Sequence, residues 1–395
     1  MTHSKPSVTQ SKPRKKLAVG GAVAALAVLW PLALGPATAS AADSAASSNV
    51  LQPVPTRAPA VQAPASRHGR AGALTDPTEA LHESASAIGC VSSKVCLVVG
   101  GAPGRPPSAE VAEVVGGLPV AYRKVPGLSG LDGISCPGAM SPCEAVGFAP
   151  SGDYGVEISP SGVPGKPFSL PDFFTSISCY RSLAWCEAVG SLYQKGLALI
   201  SVKDGTPGTA RDVRAPRAGG VSNPEISCGS AGWCEVAGSY YADGSDFNSF
   251  ALAVPSGVPG TAVTVSKAYG IDGISCPAVG QCFVAASSSS GAAMVAALTG
   301  VSLGAPHVVG QASSLSAIAC SSQASCTAVG SSQSLANPKG RSLVVPVASG
   351  VPGTAQTVSA AANLYSVAAV APTFYAAVGM VASGMNAGDD IVTSS

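Results

Sequence analysis

The chain is 395 residues long, only 11% of them charged, with 46 Gly, 32 Pro and a formal net charge of +1. Gly and Pro at that density exclude a long-helix architecture, because both interrupt a helical hydrogen-bond ladder and neither costs much in a turn. Scarce Lys and Arg leave no basic stripe of the kind phosphate binding needs, which excludes nucleic acid as a partner.

Taken in chain order, Lys12, Arg14, Lys15 and Lys16 precede an apolar run from Leu17 to Leu34, the pattern of an export signal. Gly35 and Pro36 break the run, and Ala39, Ser40 and Ala41 supply the small residues a signal peptidase reads. Residues 1–41 are therefore expected to be a signal peptide cleaved after Ala41. An uncleaved anchor is the alternative, since a run of about 18 residues is the lower limit for crossing a bilayer, although Pro31 sits inside it. Removal of the segment leaves 17 Lys and Arg against 21 Asp and Glu, a net charge of −4. Residues 42–71 read as a tether rich in Ala, Ser and Pro, in which Pro53, Pro55, Pro59 and Pro64 favour extended, solvated backbone.

From Ile88 to Gly379 one unit recurs: I-x-C, five or six residues, then C-x-x-V-G or a near variant. Its copies are IGCVSSKVCLVVG, ISCPGAMSPCEAVG, ISCYRSLAWCEAVG, ISCGSAGWCEVAG, ISCPAVGQCFVAA, IACSSQASCTAVG and, without cysteine, VAAVAPTFYAAVG. The first cysteines stand at 90, 136, 179, 228, 276 and 320, with Ala369 in the seventh copy, so the steps are 46, 43, 49, 48, 44 and 49 residues. A second marker, Gly-x-Pro-Gly, follows as at Gly162–Gly165 and Gly257–Gly260 and reads as a turn. Four short apolar stretches per unit, such as Gly273–Cys276, Cys282–Ala286, Ala293–Leu298 and Pro306–Val309, predict one propeller blade each. The fold expected for residues 72–395 is all-β, a seven-bladed β-propeller, with a parallel β-solenoid as the alternative. The last repeat stops after its third strand, near Asp390–Thr393, and Gly72–Thr75 is expected to supply the missing outer strand.

The I-S-C-P-x-x-x-x-C-x-A-V-G pattern with G-x-P-G-T-x-x-T-V resembles the secreted propeller-like repeat proteins common in actinobacteria. The resemblance implies architecture and export, and no activity. All 12 cysteines fall in the repeat, and the seventh copy loses both together, with Ala369 and Tyr375 in their places. Six hairpin disulfides follow as expectations: Cys90–Cys96, Cys136–Cys143, Cys179–Cys186, Cys228–Cys234, Cys276–Cys282 and Cys320–Cys326. Loops this small stabilise by roughly 2 to 2.5 kcal/mol each in the chain-entropy picture. Almost no histidine accompanies the cysteines, so thiolate metal sites are not expected.

Outside the signal only His68, His82 and His307 remain, and no nucleophile elbow, P-loop or dinucleotide fingerprint is present, so neither a catalytic triad nor a cofactor is expected. Glu144, Glu187 and Glu235 follow the second cysteine in three consecutive repeats. Solvated positions at a strand start are the expectation for them, some 10 Å apart and so too distant for a glycosidase pair. Aromatic residues, 5% of the chain, bunch in repeats three and four as Tyr180, Trp185, Tyr193, Trp233, Tyr240, Tyr241 and Phe247. Packing between hairpins is the ordinary role for most of them. The loop expected in repeat four is the longest of its kind, and its Tyr240, Tyr241, Asp243, Asp246 and Asn248 combine flat apolar faces with hydrogen-bond acceptors. Asp243 and Asp246 lack the ligand spacing of an EF-hand, so calcium is not expected.

These features lead to the expectation of a secreted or cell-surface monomer that binds a cell-envelope glycan or an extracellular protein. Membrane contact is expected only through the N-terminal segment if it stays uncleaved. The alternatives are a glycan hydrolase or lyase with acidic residues at the ring centre, and a structural spacer with no ligand.

Overall fold

The computed structural model describes residues 66–69 and 85–394, except 103, 105, 172, 181–184, 193–195, 217–219, 230–231, 243–245, 333–339, 359–362 and 381–388. For residues 66–69, 242, 246 and 389–390 it describes the backbone alone. Within Val61–Ser395, one compact unit, the described residues form seven antiparallel sheets and no helix. The fold is the expected seven-bladed propeller.

Blade 5 shows the plan. Its strands are Gly270–Ala278, Gln281–Ser287, Ala293–Thr299 and His307–Val308, close to the four stretches read from the sequence. The first strand of each blade lines the ring axis and the fourth lies outside. Each blade has two apolar faces, and these meet the neighbours' faces in seven separate clusters, one per blade interface. Leu131, Cys143 and Val156 of blade 2, for example, meet Leu97, Val99 and Val111 of blade 1, all fully buried. Stability is thus a sum of neighbour terms, as in other repeat architectures.

The six predicted disulfides are formed, with Cα–Cα distances of 3.9 to 4.2 Å. Four pairs, among them Cys90–Cys96 and Cys179–Cys186, are direct cross-strand partners in the register. The serine of I-S-C acts between blades. The Oγ of Ser135 accepts the Cys179 N–H at 2.9 Å, and Ser178, Ser227 and Ser275 do the same for Cys228, Cys276 and Cys320, each at 2.9 Å. Blade 7 has Ala368 at that serine position, and there the Ile88 N–H of blade 1 donates to Ser366 Oγ at 3.2 Å, as the Ile226 N–H of blade 4 does to Ser176 Oγ of blade 3 at 3.3 Å.

Ring closure departs from expectation in one respect. The outer strand of blade 7 is Ser66–Gly69, paired antiparallel with Asp389–Ser394, whereas Gly72–Thr75 lies outside the described residues. The ring therefore takes in four residues that composition assigned to the tether. Ser-Arg-His-Gly carries no apolar periodicity, and its backbone pairs with residues 391–394. Deleting residues 61–69 exposes the edge of blade 7 and is expected to lower the melting temperature by several degrees. Circular dichroism of the two chains checks this, and equal melting would show that the strand adds nothing.

Candidate ligand-binding face

In every blade the end of strand one and the start of strand two lie at one end of the ring axis, and the end of strand two and the start of strand three at the other. Trp233 and Tyr241 mark the two ends of one strand, eight residues and roughly 26 Å apart. Trp185 and Trp233 therefore sit on the disulfide face and Tyr241 on the opposite one, as topology predicts.

The seven inner strands enclose a cavity of about 580 Å³. The position four residues before the first cysteine of a repeat faces it, placing Ser86, Asp132, Thr175, Asp272 and Ser316 around the wall near the Tyr241 face. Glu225 joins them from blade 4, where a bulge between Ser222 and Glu225 alters the spacing. Its Oε2 accepts the Ser176 hydroxyl at 2.8 Å. Burial pushes the Glu225 carboxyl up to about 7, against the pull of the Ser176 hydrogen bond and with help from the Asp272 charge. Burial alone raises Asp132 to about 6 and also raises Asp272. None of these three acids was singled out in the sequence, although L-D-G-I-S-C and I-D-G-I-S-C repeat the aspartate at a fixed offset.

The predicted loop of blade 4 is mostly ladder. Its second and third strands, Trp233–Ala242 and Asp246–Pro255, are the longest in the ring, because cross-strand pairs such as Tyr241 with Phe247 carry the hairpin onward. Tyr240 is fully buried, with its hydroxyl 2.7 Å from Thr264 Oγ1 and its ring against Phe250, so it belongs to the core. Asn248 is half-buried opposite Tyr240. Asp243 and Tyr193 lie outside the described residues, and for Asp246 only the strand position is described.

Tyr241 remains at the surface, 47% exposed, and it has company the sequence did not show. The Phe247 ring stands edge-on to it at 5.0 Å, and Tyr269, from the connection into blade 5, lies 5.5 Å from Phe247. Tyr269 is itself 42% exposed and stands three residues before Asp272. An aromatic shelf across blades 4 and 5 thus shares its face with the carboxylate-lined cavity mouth.

Glu144, Glu187 and Glu235 lie elsewhere and correct the expectation of solvated side chains: all three are buried. Turns of the following blades cover two of them. The Gly205 N–H donates to the Glu144 carboxylate, and Gly257 lies so close to Glu187 that a Cβ there would stand 2.6 Å from Oε1. Ser201 Oγ donates to Glu187 at 2.7 Å and Arg211 pairs with it at 3.7 Å, while Trp233 Nε1 donates to Glu235 at 3.3 Å. Glu144 and Glu187 thus lie under the next blade's turn, and none of the three lines the cavity described above.

No protein-family model and no curated protein matches the chain. Solved structures do. It is similar to the WD40 repeats of RRP9, with a TM-score of 0.56 at 12% identity over 84% of this chain and 98% of that one. The WD40 β-propeller domain of Doa1 gives 0.54 at 11% over 79% and 93%. The Neurospora crassa Pan2 WD40 domain gives 0.52 at 10% over 79% and 89%. Likeness at this identity carries the fold alone, so the chain is a seven-bladed β-propeller with the architecture of a WD40 ring and six disulfides of its own.

Proposed function

We propose that this protein is an exported binding scaffold that holds a cell-envelope glycan on the face carrying Tyr241, Phe247 and Tyr269. The observation that supports this reading is the shared face: exposed aromatic rings beside a polar cavity mouth with Asp132, Glu225 and Asp272. Aromatic faces cover the C–H surfaces of a sugar ring, and carboxylates accept its hydroxyl protons. Six disulfides fit an oxidising compartment, in keeping with the export signal.

Tyr241→Ala and Tyr269→Ala are each expected to weaken retention on cell walls or a soluble polysaccharide about tenfold, which is 1.4 kcal/mol. Both side chains are surface-exposed, so melting temperatures should match the parent. Pull-down against a polysaccharide panel, with products scored by mass spectrometry, checks this. Unchanged retention would remove the shelf as the site, and no retention on any glycan would leave an extracellular protein or a ligand-free spacer. A glycan hydrolase or lyase is the second reading, favoured by Glu225, which lines the same cavity as Asp272 and whose carboxyl burial pushes up to about 7, the range that suits a general acid. Released products would establish it.

A further inference from the structure

The face opposite the aromatic shelf carries exposed aliphatic side chains at a repeated position. In the turn between strands three and four, the residues after Gly117, Gly162, Gly257, Gly300 and Gly350 are Leu118, Val163, Val258, Val301 and Val351 in blades 1, 2, 4, 5 and 6, with exposures of 45, 48, 61, 38 and 52%. Blade 3 has exposed Thr206 there, so the turn itself does not require an aliphatic residue. Turns between strands one and two lie on the same face and add Met140 at 97%, Val279 at 47% and Val370 at 39%. Single exposed valines are ordinary, but eight aliphatic side chains on one face, five at the same turn position, are not scatter.

The geometry of a ring decides what such a set can touch. Equivalent positions in successive blades are related by rotation about the ring axis and so reach the same height along it. Knobs of equal height set apart around a circle meet a plane together, whereas a small protein would reach only one or two of them. Charge points the same way: among the described residues of these turns the charged side chains are Lys94, Lys166 and Lys203 against Asp204, all exposed. The chain also enters the ring here. Ser66 pairs with Ser394, whose Oγ donates to the Thr373 carbonyl in the first turn of blade 7.

We propose that this aliphatic face docks on the surface of an anionic lipid bilayer, with the valine knobs seated among the headgroups and the lysines against their phosphates. The opposite face, with the aromatic shelf, then points away from the membrane. The inference is independent of the glycan reading, because it concerns other residues and another readout.

The test uses the compact unit Val61–Ser395, which holds every described strand and all six disulfides and lacks the apolar run. Co-sedimentation with phosphatidylglycerol–phosphatidylcholine vesicles is expected to pellet it, with less retained on phosphatidylcholine alone and less at high salt. The variant carrying Val163→Asp, Val258→Asp and Val351→Asp should lose at least tenfold in retention, Thr206→Val should gain, and Phe173→Ser on the other face should behave as the parent. Matching melting curves establish that the triple variant folds. If it does not fold, the Thr206→Val gain and the single Val258→Asp loss carry the test. A parent unit that stays in the supernatant with both lipids, or a folded triple variant that pellets like the parent, would overturn the proposal. So would a lipid-free dimer in sedimentation velocity that the triple variant abolishes, which would assign the face to a second copy of this chain.

Discussion

Thermal stability of the ring is expected to be greatest in mild acid and to fall as the pH rises from about 4.5 through about 7, the span between the ordinary and the folded-state values of its buried glutamates. Burial pushes Glu144 up to about 7, with the Glu157 charge adding to it and the Gly205 N–H opposing. Burial also pushes Glu235 up to about 7, against the Trp233 hydrogen bond, and raises Glu187 despite its Ser201 and Arg211 partners. Glu144 Oε2 and Glu235 Oε1 have no hydrogen-bond partner, so little offsets the loss of water around a charge. Each group binds its proton more tightly folded than unfolded. Its contribution is therefore complete below the unfolded value and disappears as the pH passes the folded one. A rise from 4.5 to about 7 corresponds to roughly 3 kcal/mol per carboxyl, an order of magnitude that relaxation of the interface would reduce. Melting temperatures measured across that range check the direction. Glu235→Gln should leave melting in mild acid unchanged and raise it in mild alkali, flattening the profile. A parent profile that is flat or climbs with pH would mean that these carboxylates are charged in the fold.

Gly190→Ala is expected to destabilise the ring by roughly 3 kcal/mol or more, the range of severe overpacking. Gly190 closes the C-x-x-V-G element of blade 3, where the inner strand bulges between Phe174 and Ser176 and its backbone crosses over the second strand. A Cβ at Gly190 would coincide with the Phe173 carbonyl and stand 2.8 Å from Phe174 Cα. Backbone cannot turn aside as a side chain can. Gly147, Gly330 and Gly379 meet Leu131, Leu315 and Leu364 Cα at 2.7, 2.7 and 2.6 Å in the same way, which gives the repeated glycine its physical cause. Blade 5 has Ala286 at this position, paired with Ile271 across its own bulge, so that blade has the room. Ala286→Gly is accordingly expected to cost about 1 kcal/mol or less. Urea unfolding midpoints compare the two substitutions. A Gly190→Ala midpoint within error of the parent would show that the strand crossing relaxes freely.

Local pairings were legible in the sequence because both partners lie in one repeat. Cys90 and Cys96 face each other across a single hairpin, so their spacing and their joint loss at Ala369 and Tyr375 were enough to pair them. The serine of I-S-C and the glycine of the outer turn were equally visible as letters, but their partners belong to the next or the preceding blade. Their roles appeared only when Ser135 met Cys179 and Gly257 met Glu187. The same limit misplaced the acids: Glu187 reads as solvated on its own strand and is buried because a neighbouring turn covers it.

The sequence by itself determined the blade: four strands, the turn chemistry, the cysteine pairs and the count of seven, all consequences of interactions within about 46 residues. Tertiary structure decided what depends on ring closure. It drew polar Ser66–Gly69 into the last sheet by pairing with residues 391–394, and it brought Asp132, Glu225 and Asp272 to one cavity from blades far apart in the chain. It set Tyr269 beside Phe247 across a blade boundary and left aliphatic turn residues of several blades exposed on the opposite face. Side-chain periodicity records which face of a strand is buried, but it carries no record of which blade lies alongside or of what the ring axis gathers, and the binding surfaces are made there.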